Sequence, residues 1–294
     1  LVGAPMFIVS NPELVIAQCQ AGIVGSFPAL NARPQAALEE WIVQIKTALA
    51  DYAAQHPDEK VAPFAVNQIV HASNTRLQQD LETCVKHEVP IIITSLRPPA
   101  EVVAAVHAYG GLVFHDVISM RHARKAIEQG VDGLIAVTAG AGGHAGPLSP
   151  FALVKEIRKE FDGVIILSGS MSAGGDILAA QAIGADLAYF GTRFIATAEA
   201  NAIGDYKDMV VKSSAADIVY TPFFTGVPGS YLRGSIERAG LDPDHLDETD
   251  AKQRRGRISG ARGREWATLM QFCLRATSCC TWSKNTWTAV RGSA

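Results

Sequence analysis

The 294 residues are 48% apolar, 19% charged and 7% aromatic with 26 glycines, which excludes a disordered, collagen-like or disulfide-stapled chain. At this length one large α/β domain or two smaller ones can bury a sufficient core. A formal charge of −3 argues against a dedicated nucleic-acid or anionic-membrane protein, although the residues from Ala251 onward carry +8 against −11 for the rest.

In chain order, short β-branched or apolar runs predict strands at 4–9, 22–26, 63–68, 90–94, 112–117, 133–137, 163–167 and 187–190. Helical spacing between them predicts helices at 12–20, 34–53, 75–86, 99–108, 119–129, 150–160 and 173–183. Asn11-Pro12 and Ser149-Pro150 supply a cap followed by proline in the first turn, and Gly22, Gly110, Gly130 and Gly184 supply stops. Eight strand-then-helix units with strands apolar on both faces predict a (β/α)8 TIM barrel of the α/β class. A doubly wound open sheet is the alternative, since it shares the alternation and differs in closure. The expected division is a barrel over 1–200, a smaller lid or substrate-side extension over 201–250, and a basic tail over 251–294.

Cys19, Cys84, Cys273, Cys279 and Cys280 show neither CxxC spacing nor a pairing pattern, so no metal site and no disulfide framework is indicated and a reducing cytoplasm fits. No apolar run approaches the roughly 18 to 20 residues of a membrane-spanning helix, and the start lacks a signal-peptide n-region. The chain opens at Leu1 with an apolar stretch almost at once, which points to a few residues missing before it.

Barrel enzymes place their chemistry at the C-terminal ends of the strands, and polar and glycine residues gather there. Leu167-Ser168-Gly169-Ser170 and Phe190-Gly191-Thr192-Arg193 follow the seventh and eighth predicted strands, where a phosphate most often sits in a barrel. Gly169, Ser170, Gly191 and Thr192 are therefore the expected phosphate contacts; two tight turns that simply need glycine are the plainer reading. Gly140 to Gly146 contains a Gly-x-Gly-x-x-Ala string, but Pro147 and Pro150 delay the helix that a dinucleotide fingerprint requires. What remains is a loop with His144 among small residues, suited to proton abstraction from carbon. His115-Asp116 is a second polar pair at a strand end, read either as facing the same mouth or as closing the strand. Tyr220, Phe223, Phe224 and Tyr231 form either a lid or rim packing.

Gly3-Ala4-Pro5-Met6-Phe7, Ala139 to Gly146, Leu167-Ser168-Gly169 and Gly191-Thr192-Arg193-Phe194 resemble, in this order, the nitronate monooxygenases, formerly 2-nitropropane dioxygenases. The resemblance covers about residues 1 to 240. It implies a (β/α)8 barrel holding FMN without a covalent bond, the phosphate on Gly169, Ser170, Gly191 and Thr192, with Gly143 and Ser168 also lining the cofactor. By the same resemblance the backbone at Pro5 and Met6 lies against the isoalloxazine ring, Asn67 and Gln68 bond its polar edge, and His144 faces the flavin as base or orienting group. The implied reaction is oxidation of an alkyl nitronate by O2 to a carbonyl compound and nitrite. Expected partners are that small-molecule substrate and O2, with a homodimer, and neither nucleic acid nor membrane. An NAD(P)H-dependent FMN oxidoreductase acting on quinones or enoyl thioesters, and a cofactor-free phosphosugar barrel, are the competing enzymes; a truncated barrel that binds nothing is the non-catalytic alternative. Two departures stand out. Many relatives carry Gly-Gly where this chain has Gly169-Ser170, and beyond about Ala251 the family's closing Ser-x-Gly-Gln-Gly-like loop is absent, replaced by a basic, aromatic stretch.

Overall fold

Runs such as Ile91-Ile92-Ile93 have nowhere polar to face, so they are stable only in a strand covered on both sides, and successive side chains must serve two cores. In the computed structural model, which describes residues 1–97, 99–224 and 226–246, eight parallel strands do this in a ring. Those strands are β1 (Val2–Gly3), β2 (Gly25–Pro28), β3 (Phe64–Val70), β4 (Ile91–Leu96), β5 (Leu112–Val117), β6 (Gly133–Val137), β8 (Val164–Ser168) and β9 (Leu187–Phe190), with the two-residue β7 (Gly143–His144) lying outside the ring. Their spatial order is β1-β9-β8-β6-β5-β4-β3-β2. The bridge from Val2 to Val24, with Gly3 N–H donating to Val24 O at 2.8 Å, returns the second strand to the first and closes the barrel.

The inner face of the ring carries Val2, Ala65, Ile91, Ile93, Phe114, Ile135 and Ile166, packed as a plug within the barrel. The outer face carries Val66, Ile92, Val113, Leu134, Ile165 and Ala188, buried under the helices in a larger, continuous core. Those helices are α1 (Pro12–Gln20), α2 (Ala37–Gln55), α3 (Leu77–Lys86), α4 (Ala100–His107), α5 (Met120–Glu128), α6 (Pro150–Arg158) and α7 (Gly174–Ala182). The α1 start is as read: the Asn11 side chain accepts from Leu14 N–H at 3.1 Å and Pro12 occupies the first turn. Gly110 and Gly130, at φ +84° and +79°, end their helices in a conformation that other residues resist.

The first predicted strand needs correction. Pairing stops at Gly3, because Pro5 has no N–H to give and Ile8 turns to φ +68°. Residues 4–9 instead run as a loop held by two side-chain amides: Asn31 Oδ1 accepts from Ile8 N–H at 2.8 Å, Asn31 Nδ2 donates to Met6 O and Ser10 O at 3.0 and 2.8 Å, and Asn201 Nδ2 donates to Ile8 O at 3.0 Å. The second strand likewise begins at Gly25 rather than Gly22, which belongs to the turn after α1.

After the barrel come α8 (Thr192–Ile195), α9 (Gly204–Lys212), β10 (Ile218–Thr221), β11 (Gly229–Leu232) and α10 (Arg233–Arg238). β10 and β11 form an antiparallel ribbon, and β11 pairs in turn with β7, Gly229 opposite His144 and Ser230 opposite Gly143. The stretch read as an unpaired loop around His144 is therefore the third strand of a small sheet. The basic tail expected over 251–294 lies outside the described residues, as do residues 247–250. Among the described residues no helix is long and apolar enough to cross a membrane.

Candidate active site

Parallel strands all end at one rim, so the residues after each strand converge whatever their distance in sequence. Ala4 N–H donates to Phe190 O at 2.7 Å, which brings the loop after β1 against the end of β9. A carbon placed on Gly191 would sit 3.6 Å from Ala4 Cβ and 3.7 Å from the Met6 sulfur, so Met6 and Gly191 share one side of the mouth. On the next side, Thr138 N–H and Oγ1 donate to Ser168 O at 3.0 and 2.8 Å, joining the loops after β6 and β8. Ser170 donates both its N–H and its hydroxyl to Gly140 O, at 3.0 and 3.2 Å. That hydroxyl is thus spent on closing the loop pair.

Gly169 stands between them at φ +153°, and a Cβ there would lie 2.4 Å from Thr138 Oγ1 and 3.0 Å from Ala139 O. Its absence lets the two loops meet. The N–H groups of Gly169, Gly191 and Thr192 make no backbone hydrogen bond among the described residues. Since Ser168 pairs with Tyr189, these donors stand at the ends of neighbouring strands. Unpaired peptide N–H groups on neighbouring strand ends, two of them on glycines, are chemistry suited to an anion.

His144 is fixed by β7 on the loop after β6, the loop whose Gly140 meets Ser170. Its pKa lies below the ordinary 6.5, because protein atoms crowd the imidazole and disfavour its charged form even though the side chain keeps solvent access. Tyr220 Oη donates to Ala145 O at 3.2 Å, fastening the ribbon to the same loop. Phe223, Phe224, Tyr231 and Ile236 are buried together, with Phe224 and Tyr231 ring centroids 4.6 Å apart, and form the ribbon's own small core. The aromatics thus divide: three hold the ribbon together, and Tyr220 pins it over the His144 loop.

Strand alternation separates two pairs that the sequence puts side by side. Asn67 faces the barrel interior with Ala65, whereas Gln68 faces the helices, its Nε2 3.5 Å from Cys84 Sγ on α3. The Asn67 amide therefore faces the barrel interior and the Gln68 amide does not. In the same way His115 points outward, 2.8 Å from Thr94 Oγ1, and Asp116 points inward to accept from Ser95 Oγ at 2.5 Å. His115-Asp116 is not one polar pair.

Burial drops the His115 pKa to about 4, with the nearby His122 adding to the effect. The unfolded chain takes up this proton near 6.5 and the folded chain does not until about 4, so His115 lowers stability as pH falls through that window. The loss approaches roughly 3 kcal/mol at the low end. Urea unfolding of His115→Gln at pH 7 and pH 4.5 should show a smaller drop between the two than the parent chain does. An equal drop would place the titrating group elsewhere.

The sequence reading missed Ser95, Asp116 and Tyr189 as a group. The signal was there: Ile91 and Ile93 face inward, so Ser95 continues the same face, as Asp116 continues from Phe114 and Tyr189 from Leu187.

A family model described as nitronate monooxygenase matches residues 1–240. The chain is 26% identical over 282 residues to a Rhodococcus jostii protein named (3aS,4S,5R,7aS)-5-hydroxy-7a-methyl-1-oxo-octahydro-1H-indene-4-carboxyl-CoA dehydrogenase, covering 94% of this chain and 75% of that one. It is 27% identical over 285 residues to a nitronate monooxygenase of Paraburkholderia phytofirmans, covering 83% of this chain and 76% of that one. Among solved structures, FabK from Thermotoga maritima superposes with a TM-score of 0.76 at 24% identity, over 94% of this chain and 84% of the other, a likeness of fold. With the family match spanning the whole barrel and the ribbon that closes over it, this chain belongs to the nitronate monooxygenase family of oxidoreductases.

Proposed function

We propose that the mouth binds FMN and that the chain oxidises alkyl nitronates with O2 to a carbonyl compound and nitrite. The observation that carries this reading is the set of N–H groups at Gly169, Gly191 and Thr192 on the ends of neighbouring strands, a cradle whose chemistry suits a flavin phosphate, with His144 held by β7 on the adjoining loop after β6. Pro5 and Met6 on the first loop, Asn67 on β3, and Gly143, Ser168 and Ser170 on the loops around the cradle would line the remainder. Gln68 would contribute through its backbone alone. The flavin supplies the electron transfer; the protein supplies placement and charge.

His144, neutral at pH 7 because its pKa is depressed, is fit to take a proton from the carbon beside a nitro group and so to convert a nitroalkane into the reactive nitronate. The ribbon fixed by Tyr220 and the β7 pairing holds the imidazole at the rim, so the base is positioned before substrate arrives.

The purified protein should be yellow, with an absorption band near that of free flavin, and should release FMN on heating. Under anaerobic conditions an alkyl nitronate should bleach the band faster than NADH or NADPH does. Bleaching by NAD(P)H alone would instead make it a reductase of quinones or enoyl thioesters, and a colourless protein that cannot be reconstituted with FMN would return the cradle to a sugar phosphate.

A further inference from the structure

Three neighbouring strands carry a hydrogen-bonded polar line across the inner face of the barrel, which also carries the apolar plug and the Tyr189 hydroxyl. Asn67 Nδ2 donates to Ile93 O at 3.2 Å and to Ser95 Oγ at 3.0 Å, and Ser95 Oγ donates to Asp116 Oδ2 at 2.5 Å. The other carboxylate oxygen, Asp116 Oδ1, is buried without a partner among the described residues. A buried carboxylate oxygen without a hydrogen bond costs stability, which marks this carboxylate for an explanation.

The donor order in this line is forced. A carboxylate only accepts, so Ser95 must turn its single proton to Asp116 and can offer Asn67 only a lone pair. Asn67 must then present its NH2 to Ser95, and its carbonyl is left over. We propose that Asp116 is a positioning residue: through Ser95 it holds the Asn67 amide with the NH2 against β4 and leaves Oδ1 as an acceptor for a ligand N–H at the barrel mouth. The ligand chemistry is an imide-like N–H, which the polar edge of a flavin ring carries; that part rests on the proposed function. The carbonyl of Ile93, 3.2 Å from Asn67 Nδ2, is a second lock on the same orientation and does not depend on Asp116.

Asp116 also makes the line responsive to pH. Burial raises its pKa to about 6, against the Ser95 hydrogen bond that lowers it. The titratable group facing it inside the barrel is Tyr189 on β9, whose hydroxyl is held well above 10 by burial and by the Asp116 charge and so stays neutral. β6 offers Ile135 and Val137 to that interior, and His115 and His122 lie behind β5 on the helix side. Protonation of Asp116 ends its claim on the Ser95 proton, so the acceptor at Asn67 is best presented above about pH 6.

The test uses the full chain, labelled with 15N-asparagine, and follows the Asn67 side-chain NH2 signals from pH 5 to 7.5, assigned by their loss in Asn67→Asp. They should titrate near pH 6 in the parent chain, stay flat in Asp116→Asn, and move much less in Ser95→Ala. Signals that do not move in the parent, or that move equally in Asp116→Asn, overturn the proposal. In parallel, the Kd for FMN, read from quenching of flavin fluorescence, should tighten as pH rises through 6. It should be roughly fivefold weaker at pH 7.5 in Ser95→Ala, in keeping with one hydrogen bond. If the parent chain binds no FMN at any pH, the flavin reading fails alone, and the NH2 titration still decides whether Asp116 positions Asn67.

Discussion

Replacing His144 with alanine should lower turnover of neutral nitroalkanes by about 10² to 10⁴-fold while the yellow colour and the barrel survive. The cradle N–H groups belong to the ends of β8 and β9, not to β7, so removing an imidazole leaves the anion contacts in place. The backbone pairing of residue 144 with Gly229 does not depend on the side chain either. A nitroalkane must lose a carbon-bound proton before it can react, whereas a preformed nitronate has already lost it. The variant should therefore keep most of its rate on nitronate, and the ratio of the two rates is the informative quantity. In the parent chain, nitroalkane turnover should rise with pH through a pKa below 6.5 and then level off if the neutral imidazole is the proposed base, because burial depresses its pKa. His144→Ala should lack that limb. Equal losses on both substrates, accompanied by release of the flavin, would make His144 a structural residue of the ribbon.

The barrel was legible because its signals are periodic and punctuated. Seven helices fall within about three residues of the sequence reading at every boundary, since caps such as Asn11 and stops such as Gly130 act through the local backbone. The misreadings share one cause, which is that tertiary partners decide what an apolar or polar residue faces. The loop of residues 4–9 looks like a strand in composition, and it is the distant Asn31 and Asn201 that hold it as a loop. The two residues of β7 are glycine and histidine, which no propensity would place in a strand; they pair because the ribbon arrives from more than 80 residues downstream. Adjacent polar residues mislead in the opposite direction. Asn67-Gln68 and His115-Asp116 read as pairs along the chain, and the pleat sends one of each into the barrel and one into the helix layer. Applying the same alternation from Ile91 and Phe114 would have found Ser95 and Asp116 without a structure.

Gly169→Ala should cost the protein its flavin and several degrees of thermal stability, and Gly191→Ala should do neither to a comparable extent. Both residues are glycines at neighbouring strand ends, and sequence alone gives no reason to separate them. Their backbones do. Gly169 sits at φ +153°, a region that L side chains rarely adopt, and its new methyl would lie 2.4 Å from Thr138 Oγ1 and 3.0 Å from the Ala139 carbonyl. The strain is about 1–3 kcal/mol before the clash is counted. Because Thr138 and Ala139 belong to the loop that Ser168 and Ser170 hold, relief requires the loops after β6 and β8 to part, carrying the Gly169 N–H away from the cradle. Gly191 has φ −112°, where alanine is unstrained, and its methyl would meet Ala4 and Met6 at ordinary contact distances of 3.6 and 3.7 Å. Thr138→Ala added to Gly169→Ala should return part of the lost stability, because one of the two contacts disappears, but not all of it, because the φ and the Ala139 carbonyl remain. Melting temperature and the FMN content of the purified variants measure the two effects separately. If Gly169→Ala keeps full flavin occupancy and an unchanged melting temperature, the turn after β8 is not the cradle, and the phosphate site must be sought elsewhere on the rim.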